Sequence, residues 1–219
     1  MPTPPELVIF DCDGVLVDSE PIANRVLAQV VSSFGKPMTT EECFARFHGG
    51  HLSGVLAFLH DEAGVEPTDE LRRDIRDRID AALANEVVAI DGAEEVLDAL
   101  DRAGVPYVAA SNGPMEKMRV TLGKTGLWDR FHPRIYSAWD VGALKPDPGL
   151  FLHAAREAGA EPARCAVVED SNTGVRAAVA AGMTCYARTA YIGPDAARAR
   201  GAVPIDDMRE LVAALLPPA

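Results

Sequence analysis

The stretch LVIFDCDGVLVDSE, residues 7–20, decides how the rest of the chain is read. It opens on apolar residues and then sets Asp11 and Asp13 two positions apart, with Asp18 and Glu20 close behind. A short run that is apolar throughout, without alternation, fits a strand buried on both faces, as in a parallel sheet. Working outward, similar runs ending in polar or glycine-containing turns recur at VPYVAAS (105–111), CAVVED (165–170) and MTCYA (183–187), with shorter ones at RIYSA (134–138) and AVPI (202–205). Helical patterns lie between them at 93–103, 114–125, 148–158 and 173–181, followed by Gly104, Gly126, Gly159 and Gly182. Glycine is the residue expected just past a helix end. Strand alternating with helix predicts an α/β protein, a parallel sheet covered by helices on both faces.

One segment breaks this rhythm. From Asp18 to Val87 the periodicity is helical only, which predicts a helical domain, 18–87, inserted between core segments 1–17 and 88–219. Its clearest piece is DELRRDIRDRIDAAL (69–83), where Leu71, Ile75, Ile79 and Leu83 form one apolar stripe and the Arg and Asp residues face solvent.

A chain of 219 residues with 48% hydrophobic content buries a substantial core. The formal net charge of −12 offers no general attraction for phosphate backbones or anionic lipid, and no local basic patch offsets it. The expected partner is therefore a small molecule, with no nucleic acid and no membrane, and the protein itself a monomer or weak homo-oligomer. Cys12, Cys43, Cys165 and Cys185 show neither CxxC pairing nor zinc-ligand spacing and read as reduced, mostly buried thiols. MPTPPE lacks a basic segment followed by an apolar run, and no apolar stretch reaches the ~18 residues of a membrane span, so the expected location is cytoplasmic.

In an open parallel sheet, ligands bind outside the carboxyl ends of the strands. The residues found there are Asp11 and Asp13, then Ser111 and Asn112, then Glu169 and Asp170, with Lys145 arriving from a loop ahead of a helix. Carboxylates converging at one edge repel each other unless something positive sits among them, and hard oxygen ligands with room for water suit Mg²⁺. With a divalent cation in place, a free carboxylate can attack phosphorus, and Asp11 at the strand end is the candidate nucleophile. Residues two apart on an extended chain point the same way, ~6.5–7 Å apart. Asp13 is thereby placed to give the leaving oxygen a proton and later to activate water, while Gly14 lets the chain turn away.

The other strand ends read similarly. Ser111 and Asn112 precede Gly113 and Pro114, a proline suited to the first position of a helix whose free N–H groups cradle an anion. In LKPDPGLF (144–151), Pro146 stiffens the turn behind Lys145, Asp147 caps and Pro148 opens the next helix. In EDSNTGVRAAVAAG (169–182), Ser171 or Asn172 caps a helix whose close approach Gly174 permits. Each of these also has a plain structural reading: a turn at Asp13 and Gly14, helix starts at Ser111, Asp147 and Ser171, a surface lysine at 145. Their concurrence at the strand ends is what argues for a site.

Taken together, DCDGVLVDSE, ASNGP, LKPDP and VVEDSNTGVRAAVAAGM resemble the four motifs of the haloacid dehalogenase-like hydrolase superfamily. The resemblance implies a doubly wound, Rossmann-like α/β core with a helical cap inserted just after the first motif. It also implies an aspartyl-phosphate on Asp11, with Asp13 as acid and base. By the same resemblance Mg²⁺ is held by the Asp11 side chain, the Asp13 main-chain carbonyl and Asp170, with Glu169 either a ligand or one step behind. Dehalogenases of the family lack the second aspartate of the first motif, so Asp13 favours phosphoryl transfer.

SNGPMEKM, LGKTGL and YSAWDVGALKPDP are similar to the phosphosugar branch, which holds β-phosphoglucomutase and sugar-phosphate phosphatases, 6-phosphogluconate phosphatase-type enzymes in particular. Such enzymes place a specificity loop around a glycine of the cap, here RFHGGHLSGV (46–55), with Gly49 or Gly50 at its centre. His48 and His51 flank it, as a helix start, as substrate contacts or as a zinc pair. Mutases of the family carry basic residues there, and histidines largely neutral at pH 7 depart from that pattern. Arg46, Lys117 and Lys124 are further cations, each with a solvated-surface reading beside one of steering an anionic substrate.

The expected function is a Mg²⁺-dependent phosphatase of a small sugar or sugar-acid phosphate, working through an aspartyl-phosphate, with Asp11, Asp13, Ser111 and Lys145 catalytic and Asn112, His48, Gly49 and His51 on substrate. The alternatives are a β-phosphoglucomutase-like mutase and, outside enzymes, a phosphoaspartate receiver module, which gathers the same residue types but needs no helical insertion.

Overall fold

The computed structural model describes residues 3–47 and 52–217. Six strands, β1 (Leu7–Phe10), β2 (Tyr107–Ser111), β3 (Ile135–Ser137), β4 (Cys165–Glu169), β5 (Thr184–Arg188) and β6 (Val203–Ile205), form one sheet in the order β3-β2-β1-β4-β5-β6. Every pairing is parallel. The chain winds outward from β1 through β2 to β3, then returns to β4 on the other side of β1 and winds out to β6. That reversal opens a crevice at the carboxyl ends of β1, β2 and β4. All four residues of β1 are fully buried, as its unbroken apolar run requires.

The helices in chain order begin with α1 (Glu20–Ser33), α2 (Thr40–Phe47), α3 (Leu52–Ala63) and α4 (Asp69–Glu86). There follow α5 (Ala93–Ala103), α6 (Met115–Lys124), α7 (Trp128–Phe131), α8 (Ala138–Val141), α9 (Gly149–Ala158) and α10 (Asn172–Ala180). Last come α11 (Thr189–Ile192), α12 (Pro194–Ala199) and α13 (Glu210–Leu215). The chain divides into two compact units, Met1–Val17 with Ala89–Ala219, and Asp18–Val88. No helix among the described residues is long and apolar enough to cross a membrane.

In the α/β unit, residues of opposite parity on each strand feed opposite layers. Leu7, Ile9, Val108, Ala110, Cys165 and Val167 pack with Leu150, Phe151 and Ala154 of α9 and with Val175 and Ala178 of α10. On the other face Phe10, Tyr107 and Phe131 meet edge to face, with ring centroids 5.2–6.3 Å apart. The helices end where the glycines predict, with Gly104, Gly126, Gly159 and Gly182 all at positive φ. The four-residue helices α7, α8 and α11 left no trace in the sequence pattern, since one turn is too short to display a period.

The unit 18–88 is built from α1–α4 alone among the described residues. Val26, Val30, Val31, Val55, Leu56, Leu59 and Ile75 form its core, with Leu71 and Ile79 packed at the edge. Thr68 caps α4, its hydroxyl accepting from the Leu71 N–H at 3.1 Å. Arg46 lies over the Phe58 ring, 4.4 Å from its centroid. All four cysteines are free and buried.

Candidate active site

The turn that follows β1 is gripped residue by residue from other parts of the chain. Asp11 Oδ1 accepts from Lys145 Nζ at 2.7 Å, and Cys12 Sγ meets Thr121 Oγ1 of α6 at 3.9 Å. Asp13 Oδ1 accepts from Lys117 Nζ at 2.8 Å, and the Gly14 carbonyl accepts from the Arg188 guanidinium, at the end of β5, at 2.7 Å. Gly14 sits at φ 73°, and a Cβ there would stand 1.8 Å from Asp170 Oδ2. Glycine is required at this point by the backbone angle and by the carboxylate packed on it.

Lys145 is the centre of charge. Its ammonium, 3% exposed, bonds Asp11 and also Glu169 Oε1 at 2.6 Å, and it lies 4.9 Å from the Phe151 ring centroid. Burial by itself would lower its pKa, but the two carboxylates override that and the net shift is upward. Burial pushes Asp11 up to about 7; Lys145 opposes that rise, while Glu169 and Asp13 add to it.

Glu169 accepts from four donors. Oε1 takes Lys145, and Oε2 accepts from the Asp170 N–H, the Ser171 N–H and the Ser171 hydroxyl, each at 2.9 Å. Ser171, not Asn172, caps α10, its Oγ accepting from the Gly174 N–H at 3.0 Å. A Cβ on Gly174 would stand 1.8 Å from Glu169 Oε1, the close approach its sequence position predicts. One carboxylate oxygen from each of Asp11, Glu169 and Asp170 can be chosen so that all lie within 4.8 Å of one another, and all three residues are buried.

At the end of β2, Ser111 Oγ accepts from the Gly113 N–H at 3.0 Å. Pro114 precedes α6 in an extended conformation and does not open it; its carbonyl takes the Met118 N–H, and the first helical residue is Met115. The sequence pattern places the Asn112 side chain on substrate. In the structure its Oδ1 accepts from the Lys145 N–H at 2.8 Å and its Nδ2 donates to the Lys145 carbonyl at 3.3 Å, so it clamps the turn that carries the lysine. Asp147 accepts from the Gly149 N–H at 2.7 Å ahead of α9.

The structure thus brings Asp11, Asp13, Ser111, Asn112, Lys145, Glu169 and Asp170 to one edge of the sheet, while His48, Gly49 and His51 lie outside the described residues. It adds four residues the sequence pattern does not single out for this edge. Lys117 and Arg188 hold the turn after β1. Ser137 Oγ donates to the Gly113 carbonyl at 2.8 Å, and Trp139 Nε1, on a largely exposed ring, donates to the Asn112 carbonyl at 2.9 Å. Only for Lys117 was there a signal, as a cation three positions beyond ASNGP (110–114).

Comparison with known proteins agrees with this geometry. The profile of the haloacid dehalogenase-like hydrolases matches residues 5–182. The chain is 35% identical to 6-phosphogluconate phosphatase of Escherichia coli over 83% of its own length and 81% of that protein's. Among solved structures, a conserved haloacid dehalogenase-like protein of unknown function from Agrobacterium tumefaciens is similar at 37% identity and a TM-score of 0.84, over 95% of this chain and 96% of that one. A HAD family hydrolase from Deinococcus radiodurans, with bound phosphate and sodium, is similar at 36% identity and a TM-score of 0.81, over the whole of both chains. The match of most of the chain to the profile, together with three strand ends that carry the expected carboxylates and serine and a loop that carries the lysine, places this protein in the haloacid dehalogenase-like hydrolase family.

Proposed function

We propose that this protein is a Mg²⁺-dependent phosphatase that hydrolyses a small sugar or sugar-acid phosphate, 6-phosphogluconate or a close analogue, through an aspartyl-phosphate on Asp11. The observation that carries the reading is the convergence of Asp11, Glu169 and Asp170, the first two bonded to the Lys145 ammonium. Three buried carboxylates against the one buried ammonium leave an excess of negative charge, which a divalent cation offsets. The donors are hard oxygens, the set that suits Mg²⁺.

Asp11, Asp170 and the Asp13 carbonyl are the ligands we assign. Glu169, which accepts from four donors, holds Lys145 and the Asp170 peptide in place from behind. The ion, when bound, draws negative charge off the phosphoryl oxygens and lowers the pKa of Asp11.

In the first step an Asp11 oxygen attacks phosphorus, the bond from phosphorus to the ester oxygen breaks, and that oxygen takes a proton from Asp13. In the second, Asp13 removes a proton from water as the water oxygen attacks phosphorus. The bond from phosphorus to Asp11 breaks, returning the free carboxylate and inorganic phosphate. Lys145 faces Asp11 throughout, and the first N–H groups of α6, whose approach is set by the bonds of Ser111 and Ser137 to Gly113 and of Trp139 to Asn112, are the donors we assign to the phosphoryl oxygens. Substrate choice we assign to the helical unit, which follows the first motif directly and contains residues 46–55. The sugar-acid preference is supported by the E. coli relative, and phosphate as a ligand by the Deinococcus one.

The test is phosphate release from 6-phosphogluconate, hexose phosphates, hexitol phosphates and 2-phosphoglycolate, with Mg²⁺ and with chelator. Sugar-acid and sugar phosphates should turn over only with the metal, and Asp11→Asn should slow turnover by at least ~10³-fold. Undiminished turnover in that variant or in chelator ends the reading. Conversion of β-glucose 1-phosphate to glucose 6-phosphate faster than phosphate release would make the protein a mutase instead.

A further inference from the structure

We infer that Lys117 is a positioning residue for the leaving-group step: its ammonium fixes the carboxylate of Asp13 where a departing oxygen is met. The inference rests on the reading of Asp13 as acid and base. Lys117 and Asp13 are 104 residues apart in sequence, and their ion pair at 2.8 Å leaves each side chain only about one-fifth exposed.

Three features single out this contact among the ion pairs of the described residues. Lys117 stands in the first turn of α6, where a cation opposes the helix dipole. A placement that works against its own helix calls for a compensating partner, and Asp13 is that partner. One turn further along the same face, Thr121 meets Cys12, so a single helix touches two consecutive residues of the turn after β1. Between helix and turn lies Gly113, where a Cβ would stand 3.7 Å from Asp13 Oδ2 and 3.8 Å from the Lys117 Cδ, so the lysine stem runs over the glycine to reach the carboxylate.

Asp13 lies beyond the end of β1, outside its ladder, with an isolated bridge to Val17. An acid displaced by ~1 Å from the oxygen it serves can lose ~10²-fold in rate. Lys117 ties the Asp13 side chain to α6.

The experiment compares kcat/KM, which reports phosphoryl transfer to the enzyme, for a sugar phosphate and for p-nitrophenyl phosphate at saturating Mg²⁺. The sugar leaves as an alkoxide that needs a proton; nitrophenolate does not. Lys117→Met should lower kcat/KM for the sugar phosphate by ~10–100-fold and for the aryl phosphate by less than about threefold. Lys117→Arg should recover part of the loss, and Lys117→Gln, which keeps a donor without the charge, should fall between. In an Asp13→Asn background, Lys117→Met should add no further loss, because its effect runs through the carboxylate.

Equal losses on both substrates, or a further loss in the Asp13→Asn background, overturn the inference. If Asp13→Asn discriminates between the substrates and Lys117→Met does not, Lys117 alone is misassigned. An Asp13→Asn variant that slows both substrates alike removes the acid itself, and the role of Lys117 with it.

Discussion

Two glycines inside helices show how much one missing methyl group decides. Gly123, in α6, has nothing within 4 Å of where a Cβ would stand, whereas at Gly174, in α10, that atom would meet Glu169 at 1.8 Å. Alanine in place of glycine favours a helix by about 0.8–1.0 kcal/mol, so Gly123→Ala should stabilise the protein by up to that amount. At Gly174 the same gain is outweighed, because the four donors on Glu169 prevent it from moving aside, and overpacking costs roughly 1–3 kcal/mol or more. Urea denaturation should therefore show the two variants shifting in opposite directions. Gly174→Ala should also lose activity, since the displaced carboxylate is the one that holds Lys145. A Gly174→Ala protein as stable and active as wild type would mean the approach of α10 to β4 is looser than the geometry states. The need for glycine at 174 was legible in the sequence as a close approach, but its counterpart, Glu169, is a matter of how strand end and helix pack.

At the scale of the element, the join between β4 and α10 does two jobs with one serine. Ser171 Oγ accepts from the Gly174 N–H, which caps the helix, and donates to Glu169, which braces the charge cluster. Loss of an N-cap serine costs about 0.5–2 kcal/mol. Ser171→Ala should accordingly lower stability by about 1–2 kcal/mol in chemical denaturation, with Ser171→Thr close to wild type because it keeps both bonds. An alanine variant within ~0.3 kcal/mol of wild type would remove the cap from the account. The run VVEDSNTGV announced a strand end and a helix start, leaving the choice of cap between Ser171 and Asn172 open. Which hydroxyl or amide reaches the third N–H depends on the backbone angle at the junction, and the structure selects Ser171 with φ −111° and ψ 152°.

At the scale of the whole molecule, the acid cluster links folding to pH and to metal. Burial raises Asp11 from 3.8 to about 7, so between those values the folded protein binds its proton more tightly than the unfolded chain does. The contribution of this group to stability therefore falls as pH rises through that window and is level above it. In chelator, the melting temperature of Asp11→Asn minus that of wild type should be larger at pH 8 than at pH 5, because only wild type carries the ionised, buried carboxyl at the higher pH. Mg²⁺ should raise the wild-type melting temperature more at pH 8 than at pH 5, since the ion binds the carboxylate form. A difference between the two proteins that does not change with pH would show that Asp11 ionises in the folded state as freely as in the unfolded one.

The six strands and the helices α5, α6, α9 and α10 between them were written locally: strands buried on both faces must be apolar throughout, and helices that stop on a left-handed residue favour glycine. The same locality placed Asp11, Asp13, Ser111, Glu169 and Asp170 at strand ends, where an open parallel sheet binds its ligands. Tertiary structure alone decided which polar groups meet. Asn112 bonds the Lys145 backbone, Lys117 reaches Asp13, and Arg188 reaches the Gly14 carbonyl across 174 residues. Hydrophobic periodicity reports whether a side chain faces the core, and a hydrogen bond between distant residues leaves no period behind. The order β3-β2-β1-β4-β5-β6 belongs to this second class, because alternation of strand and helix requires parallel neighbours without saying which strands they are.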